Sequence, residues 1–173
     1  MMGTNVALSR RAGGARPRCR AEEVKFCRAR LESVERTGVF EGYASLFNRM
    51  DLGRDVVLPG AFRDSLRRRG AAGVRMLFQH DPGAPIGVWE EIHEDARGLF
   101  VRGRIMVEVA RGREVLSLMR AGAIDGLSIG FRTEQGVRSK RTGVRRLRRI
   151  DLWEVSVVTF PTVSYTHLRA HET

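Results

Sequence analysis

Three side chains in this chain of 173 residues are placed where chemistry could use them: His80, Ser128 and Glu154. Ser128 lies in Ala121-Gly-Ala-Ile-Asp-Gly-Leu-Ser-Ile-Gly-Phe131, where Leu127, Ile129 and Phe131 alternate with Ser128 and Gly130. That period of two marks a half-buried strand, apolar on one face and carrying a hydroxyl beside a glycine on the other. The glycine adds no bulk, so another backbone could approach the hydroxyl closely. His80 ends Val74-Arg-Met-Leu-Phe-Gln-His80, and as a strand this places Val74, Met76, Phe78 and His80 on one face. Glu154 sits inside Arg149-Ile-Asp-Leu-Trp-Glu-Val-Ser-Val-Val-Thr-Phe160. Ile150, Leu152, Glu154, Ser156 and Val158 fall on one face of that run, and Trp153, Val155 and Val157 on the other. Both faces are largely apolar, which predicts a central strand.

A carboxylate in such a strand needs a partner, because burying it unpaired is costly. An arginine is the commonest partner, and a histidine that needs orienting is the sharper one. Taken together, the three residues supply an attacker, a general base and a carboxylate orienter for a serine-nucleophile site. Each also has a plain structural reading: an outward-facing polar serine, a packed histidine and an arginine-paired acid. Gly126-Leu-Ser-Ile-Gly130 matches G-x-S-x-G letter for letter. In an α/β-hydrolase that serine turns from a strand into a helix. Here the order is reversed, since Arg113 to Arg120 reads as an amphipathic helix with Val115, Leu116, Leu118 and Met119 as its apolar positions. Gly122 is placed to end it. The later histidines, His167 and His171, fall in a polar tail, and the hydrolase elbow is rejected.

Around these residues the patterning predicts two strands, Val24 to Val34 and Gly38 to Phe47, joined as a hairpin. A polar loop, Asn48 to Asp55, precedes a short helix from Ala61 to Arg69 that Gly70 stops. The His80 strand is ended by Asp81-Pro82. Ile86 to His93 and Gly98 to Val107 read as two more strands, with His93 in a solvated turn region. Gln135 to Arg146 reads as a basic, mobile connection into the last strand, which Pro161 closes.

Length allows one domain with a real core, and 42% hydrophobic residues argue for a folded chain. The formal charge of +11 is almost wholly arginine, because Lys25 and Lys140 are the only lysines. Such a balance raises nucleic acid as a partner. Few aromatics accompany the run Arg145-Arg-Leu-Arg-Arg149, however, which ranks that reading low. Cys19 and Cys27 have neither C-x-x-C nor zinc-type spacing and read as free thiols in a reducing compartment. No apolar run approaches a membrane span or a signal-peptide core, so a soluble protein without membrane partners is expected. His167 and His171 share i, i+4 spacing, but no carboxylate site surrounds them and no metal is expected.

Several blocks in order resemble the phage prohead (capsid maturation) proteases of the HK97 family, which are related in fold to the herpesvirus assemblins. They are Phe40-Glu-Gly-Tyr-Ala-Ser-Leu-Phe47, Asp55-Val-Val-Leu-Pro-Gly-Ala-Phe62, Met76-Leu-Phe-Gln-His-Asp-Pro82 and Pro85-Ile-Gly-Val-Trp89. Gly122 to Phe131 and Asp151 to Pro161 complete the set. The resemblance implies His80 as base, Ser128 as nucleophile and Glu154 as third member. It implies a mostly β fold with flanking helices (α+β), a small assemblin-like closed β-barrel. It also implies oxyanion donors that include an arginine, for which Arg148 and Arg149 are candidates. The implied activity is a serine endopeptidase without a cofactor, cutting itself and the scaffold or scaffold-like segment of the major capsid protein. Its implied place is the assembling procapsid in the bacterial host cytoplasm, and a homo-oligomer is left open. An inactive assembly protein that keeps the fold is the alternative. Residues 1–21 are expected to be a basic disordered arm, 22–161 the protease domain, and 162–173 a non-family tail, disordered or artefactual.

Overall fold

The structure is a computed structural model and describes residues 23–27 and 31–159. The expected N-terminal arm, Cys19, and the tail with His167 and His171 lie outside the described residues. The described chain runs β1 (Glu23–Cys27), β2 (Leu31–Val34), β3 (Val39–Leu46), β4 (Asp55–Val57), α1 (Arg63–Arg69), β5 (Arg75–Phe78) and β6 (Asp81–Glu94). It continues with β7 (Gly98–Ile105), α2 (Ala110–Arg120), β8 (Gly126–Arg138) and β9 (Arg145–Val158). One sheet holds all nine strands in the order β1-β8-β9-β5-β6-β7-β3-β2, with β4 added beside β9. It curls into a half-barrel that brings β3 against β8. The mostly β architecture with two flanking helices is as expected.

Apolar alternation makes the inner face: Phe40, Met76, Ile86, Leu127, Ile129 and Phe131 are all fully buried. Each such side chain removed from water stabilises the fold by about 1.5–3 kcal/mol, so a one-residue slip in any of these strands is strongly disfavoured. Helix α1 packs on β9. Asp64 in its first turn and three arginines in its last both suit the helix dipole. Its Ser65 is fully buried and accepts a 2.8 Å hydrogen bond from the Leu152 N–H, tying helix to strand. Helix α2 packs on β6 and β7. It buries Val115, Leu116 and Met119, while Leu118 faces solvent rather than the core. Gly122, at φ +73°, ends it as expected, its N–H donating to the Met119 carbonyl. Among the described residues no helix is long and apolar enough to cross a membrane.

Three expectations change. The stretch from Val24 to Val34 holds two strands, β1 against β8 and β2 against β3, at opposite ends of the sheet. Half of the basic connection is strand, since β8 and β9 pair as far as Arg138 and Arg145 and leave only residues 139–144 as the turn between them. Its residues are mostly polar, with the lone Val137 of β8 exposed, and lack the alternation that reveals a strand, so only the backbone ladder shows it. Asp81-Pro82 does not merely end a strand; it begins β6.

Several of the arginines are paired internally. Asp151 is buried and accepts hydrogen bonds from Arg69 at 3.0 Å, Arg68 at 3.3 Å and Arg132 at 3.5 Å. Burial pushes its carboxyl up, but hydrogen bonds and charge from Arg69 and Arg68 outweigh this and hold it below the ordinary range. A carboxyl lowered in the folded state stabilises fully above its unfolded pKa of about 3.9, and the contribution is lost as pH falls through the folded value. Asp151→Asn is expected to lower stability at pH 7 by on the order of 1–2 kcal/mol, because solvent reaches the arginines and screens the pairs. The difference from wild type should shrink as pH falls below about 3.9 in urea titrations, and equal stability at pH 7 would refute the role.

Candidate active site

The site is built on β9. Antiparallel pairing with β8 sets Ser128 opposite Ser156 and Gly130 opposite Glu154. Directly opposed residues share a face, so the hydroxyl and the carboxylate emerge on the same side of the sheet. The other face carries Leu127, Ile129, Val155 and Val157, all buried in the core. Next along the ladder, Phe131 pairs with Leu152, and the register shifts by one residue at Trp153. This β-bulge turns both Val155 and Leu152 to the core while Glu154 points away. The strict alternation that put Leu152 and Glu154 on one face therefore fails at the bulge.

His80 arrives from the other edge of β9. Strand β5 runs parallel to β9, with Phe78 beside Val157, and turns back into β6 through Gln79 and His80 alone, since Phe78 also pairs with Asp81. Both turn residues have positive φ, 55° and 61°. Two-residue hairpins of this kind favour Asn-Gly, and each left-handed non-glycine residue costs roughly 1–2 kcal/mol. His80 thus occupies a strained turn and does not continue the apolar face of β5. The turn is held by the Gln79 N–H on the Val157 carbonyl at 3.0 Å and by Gln79 Nε2 on Thr159 Oγ1 at 2.6 Å. A third bond runs from the His80 N–H to Ser156 Oγ at 3.1 Å.

The imidazole spans the two groups on the sheet. Nε2 lies 2.7 Å from Ser128 Oγ, and Nδ1 lies 2.5 Å from Glu154 Oε1. Ser128 is fully buried, whereas the side chains of His80 and Glu154 each keep 13% exposure, so the site opens to solvent on their side. An ionised carboxylate only accepts, which makes Nδ1 the protonated nitrogen and leaves the Nε2 lone pair toward the serine hydroxyl. This arrangement can deprotonate Ser128 as it attacks an electrophile and can stabilise the imidazolium that results.

Ser156 is the residue that sequence reasoning passed over, as one more member of an apolar face. Its signal was a second hydroxyl two residues from Glu154. Gly130 also differs from expectation. A Cβ there would stand 2.2 Å from Glu154 Oε1 and 2.8 Å from its Cγ and Cδ, so the glycine makes way for the carboxylate rather than for a backbone. Arg149 is held by Asp64 at 3.4 Å and by Glu134 at 3.1 Å. It pairs with Gln135, seven positions along β8 from Ser128 and so roughly 20 Å away. Arg148, exposed beside it, is equally remote, and neither can serve as an oxyanion donor from this position. His93 is half exposed and bonded to Glu91 at 3.0 Å, outside the site.

A serine, a histidine and a glutamate in one hydrogen-bonded line on a curled sheet are the arrangement of a serine-nucleophile hydrolase. The model of the caudovirus prohead serine protease family matches residues 26–173, and this chain belongs to that family. It is 36% identical over 126 residues to the prohead protease of Enterobacteria phage HK97, covering 72% of this chain and 56% of that protein. It is 28% identical over 134 residues to the prohead protease of Escherichia phage T5, covering 76% and 62% respectively. The chain therefore spans less than two thirds of the length of either relative. The capsid assembly protease of bacteriophage T4 shares the fold, with a TM-score of 0.66 at 13% identity over 81% of this chain and 98% of that one.

Gly130→Ala tests the carboxylate's seat. The added methyl should displace Glu154 by about an ångström and slow fluorophosphonate labelling of Ser128 on the order of 100-fold. Labelling at the wild-type rate would show that Glu154 does not need that space.

Proposed function

We propose that this chain is the protease domain of a phage capsid maturation enzyme, a serine endopeptidase with Ser128 as nucleophile, His80 as base and Glu154 as orienting carboxylate. The observation that carries the reading is the continuous hydrogen-bond line from Ser128 Oγ through both ring nitrogens of His80 to Glu154. Ser128 attacks the scissile carbonyl while Nε2 takes its proton, and Glu154 holds the imidazolium. His80 then returns the proton to the leaving amine, and water releases the acyl group by the same route in reverse.

Family membership supports the substrate class: the scaffold, or a scaffold-like segment of the major capsid protein, cut inside the procapsid, together with self-cleavage. Confinement gives this a physical basis, because enclosing enzyme with substrate raises effective concentration and offsets weak intrinsic affinity. The alternative of an inactive assembly protein predicts no covalent chemistry at Ser128.

Ser128→Ala is expected to reduce cleavage of a co-expressed capsid protein by at least about 10⁴-fold. Its circular dichroism and hydrodynamic radius should match wild type. Mass spectrometry of the fragments reads the outcome. Cleavage by the Ala variant, or a wild-type chain that neither cuts nor labels, would end the proposal.

A further inference from the structure

Ser156 is fully buried beside the site, and the chemistry proposed above leaves it without a task. Its hydroxyl makes two bonds that together leave it no freedom. Oγ accepts from the His80 backbone N–H at 3.1 Å and donates to Glu154 Oε2 at 2.6 Å. We propose that Ser156 is a positioning residue that joins the strained His80 turn and the Glu154 carboxylate into one rigid unit. This rests on the reading of Ser128, His80 and Glu154 as the reacting triad.

The argument is one of donor and acceptor polarity. A serine hydroxyl has a single proton. The main-chain N–H of His80 can only donate, so the Ser156 proton is directed away from it, at Glu154. One carboxylate oxygen is thereby held, and the other meets Nδ1 of the same histidine. The bonds close a ring: His80 N–H to Ser156 Oγ, Ser156 O–H to Glu154 Oε2, Glu154 Oε1 to His80 Nδ1–H, and back through the histidine's own side chain. A ring of this kind fixes the imidazole relative to its own backbone. It also stabilises the only tautomer that presents a lone pair to Ser128.

Strand geometry explains why the residue stands where it does. Glu154 and Ser156 are two apart on β9 and share its site face, and Ser156 lies opposite Ser128. Strand β5 ends beside Val157, which sets the Gln79–His80 turn directly over Ser156. An alanine here would leave the His80 N–H without this acceptor and one carboxylate oxygen without this donor, in a place that water reaches poorly.

The test compares wild type, Ser156→Ala, Glu154→Gln and the double variant, by second-order fluorophosphonate labelling and by peptide hydrolysis. Ser156→Ala should lower labelling and kcat about 10–100-fold with KM within about twofold, and add less than about threefold in the Glu154→Gln background, because the two act as a unit. Rates within about threefold of wild type, or a full additive loss in the double variant, would overturn the proposal. Should Ser156→Ala fail to fold, Ser156→Thr keeps the hydroxyl and Ser156→Val keeps only the shape. Faster labelling of the Thr variant supports the role, and equal labelling of the two overturns it. A wild-type chain that does not label at Ser128 removes the triad reading itself, whereas a labelled wild type with an indifferent Ser156 removes this inference alone.

Discussion

The register between β8 and β9 is the constraint on which the rest of the site depends. It places Ser128 against Ser156 and Gly130 against Glu154, and a slip of one residue in either strand would turn that strand's two members toward the core. What holds the register is the apolar side of the same ladder. Leu127, Ile129, Val155 and Val157 are buried there, and none can exchange faces with a hydroxyl or a carboxylate without losing its burial. The bulge at Trp153 completes the arrangement, letting Leu152 rejoin the core after Glu154 has pointed away.

Strain and its support are found in the same few residues. A two-residue turn at Gln79 and His80 has both φ values positive, without a glycine or asparagine to ease it. It persists because β9 and the residue after it answer its Gln79 and main-chain donors, through the Val157 carbonyl, Ser156 and the Thr159 hydroxyl. The imidazole is thus delivered over the sheet by a short, over-determined connection rather than by a long loop. In the proposed chemistry, pre-organisation of that kind would let His80 meet Ser128 without ordering costs at the moment of reaction.

Several arginines of the chain serve an internal role. Asp151 gathers Arg68, Arg69 and Arg132, Asp55 takes Arg145, and Asp64 and Glu134 take Arg149. These pairs bind α1, β4 and the distal half of the β8–β9 ribbon together. Asp55 and Arg145 lie at the far end of that ribbon from Ser128 and the Asp151 cluster lies midway along it, so the pairs brace the site's two main strands from outside the Ser128–His80–Glu154 line.

Sequence alone determined the elements whose residues alternate against a core: the Ser128 strand, the Glu154 strand, the two helices with their glycine stops, and the three side chains singled out for chemistry. Burial writes itself into a period of two or of 3.6, and an acid or a hydroxyl that breaks the period is visible at once. The polar ends of β8 and β9 left no such mark, because Leu147 is the one side chain buried there and a single residue makes no period. Only the tertiary structure decided that His80 leaves its strand for a strained turn, that a bulge interrupts β9, that Gly130 yields its space to a carboxylate, and that Ser156 joins the turn to Glu154. Each of these depends on pairings between segments tens of residues apart, and such pairings are set by the assembly of the sheet, which no local pattern contains.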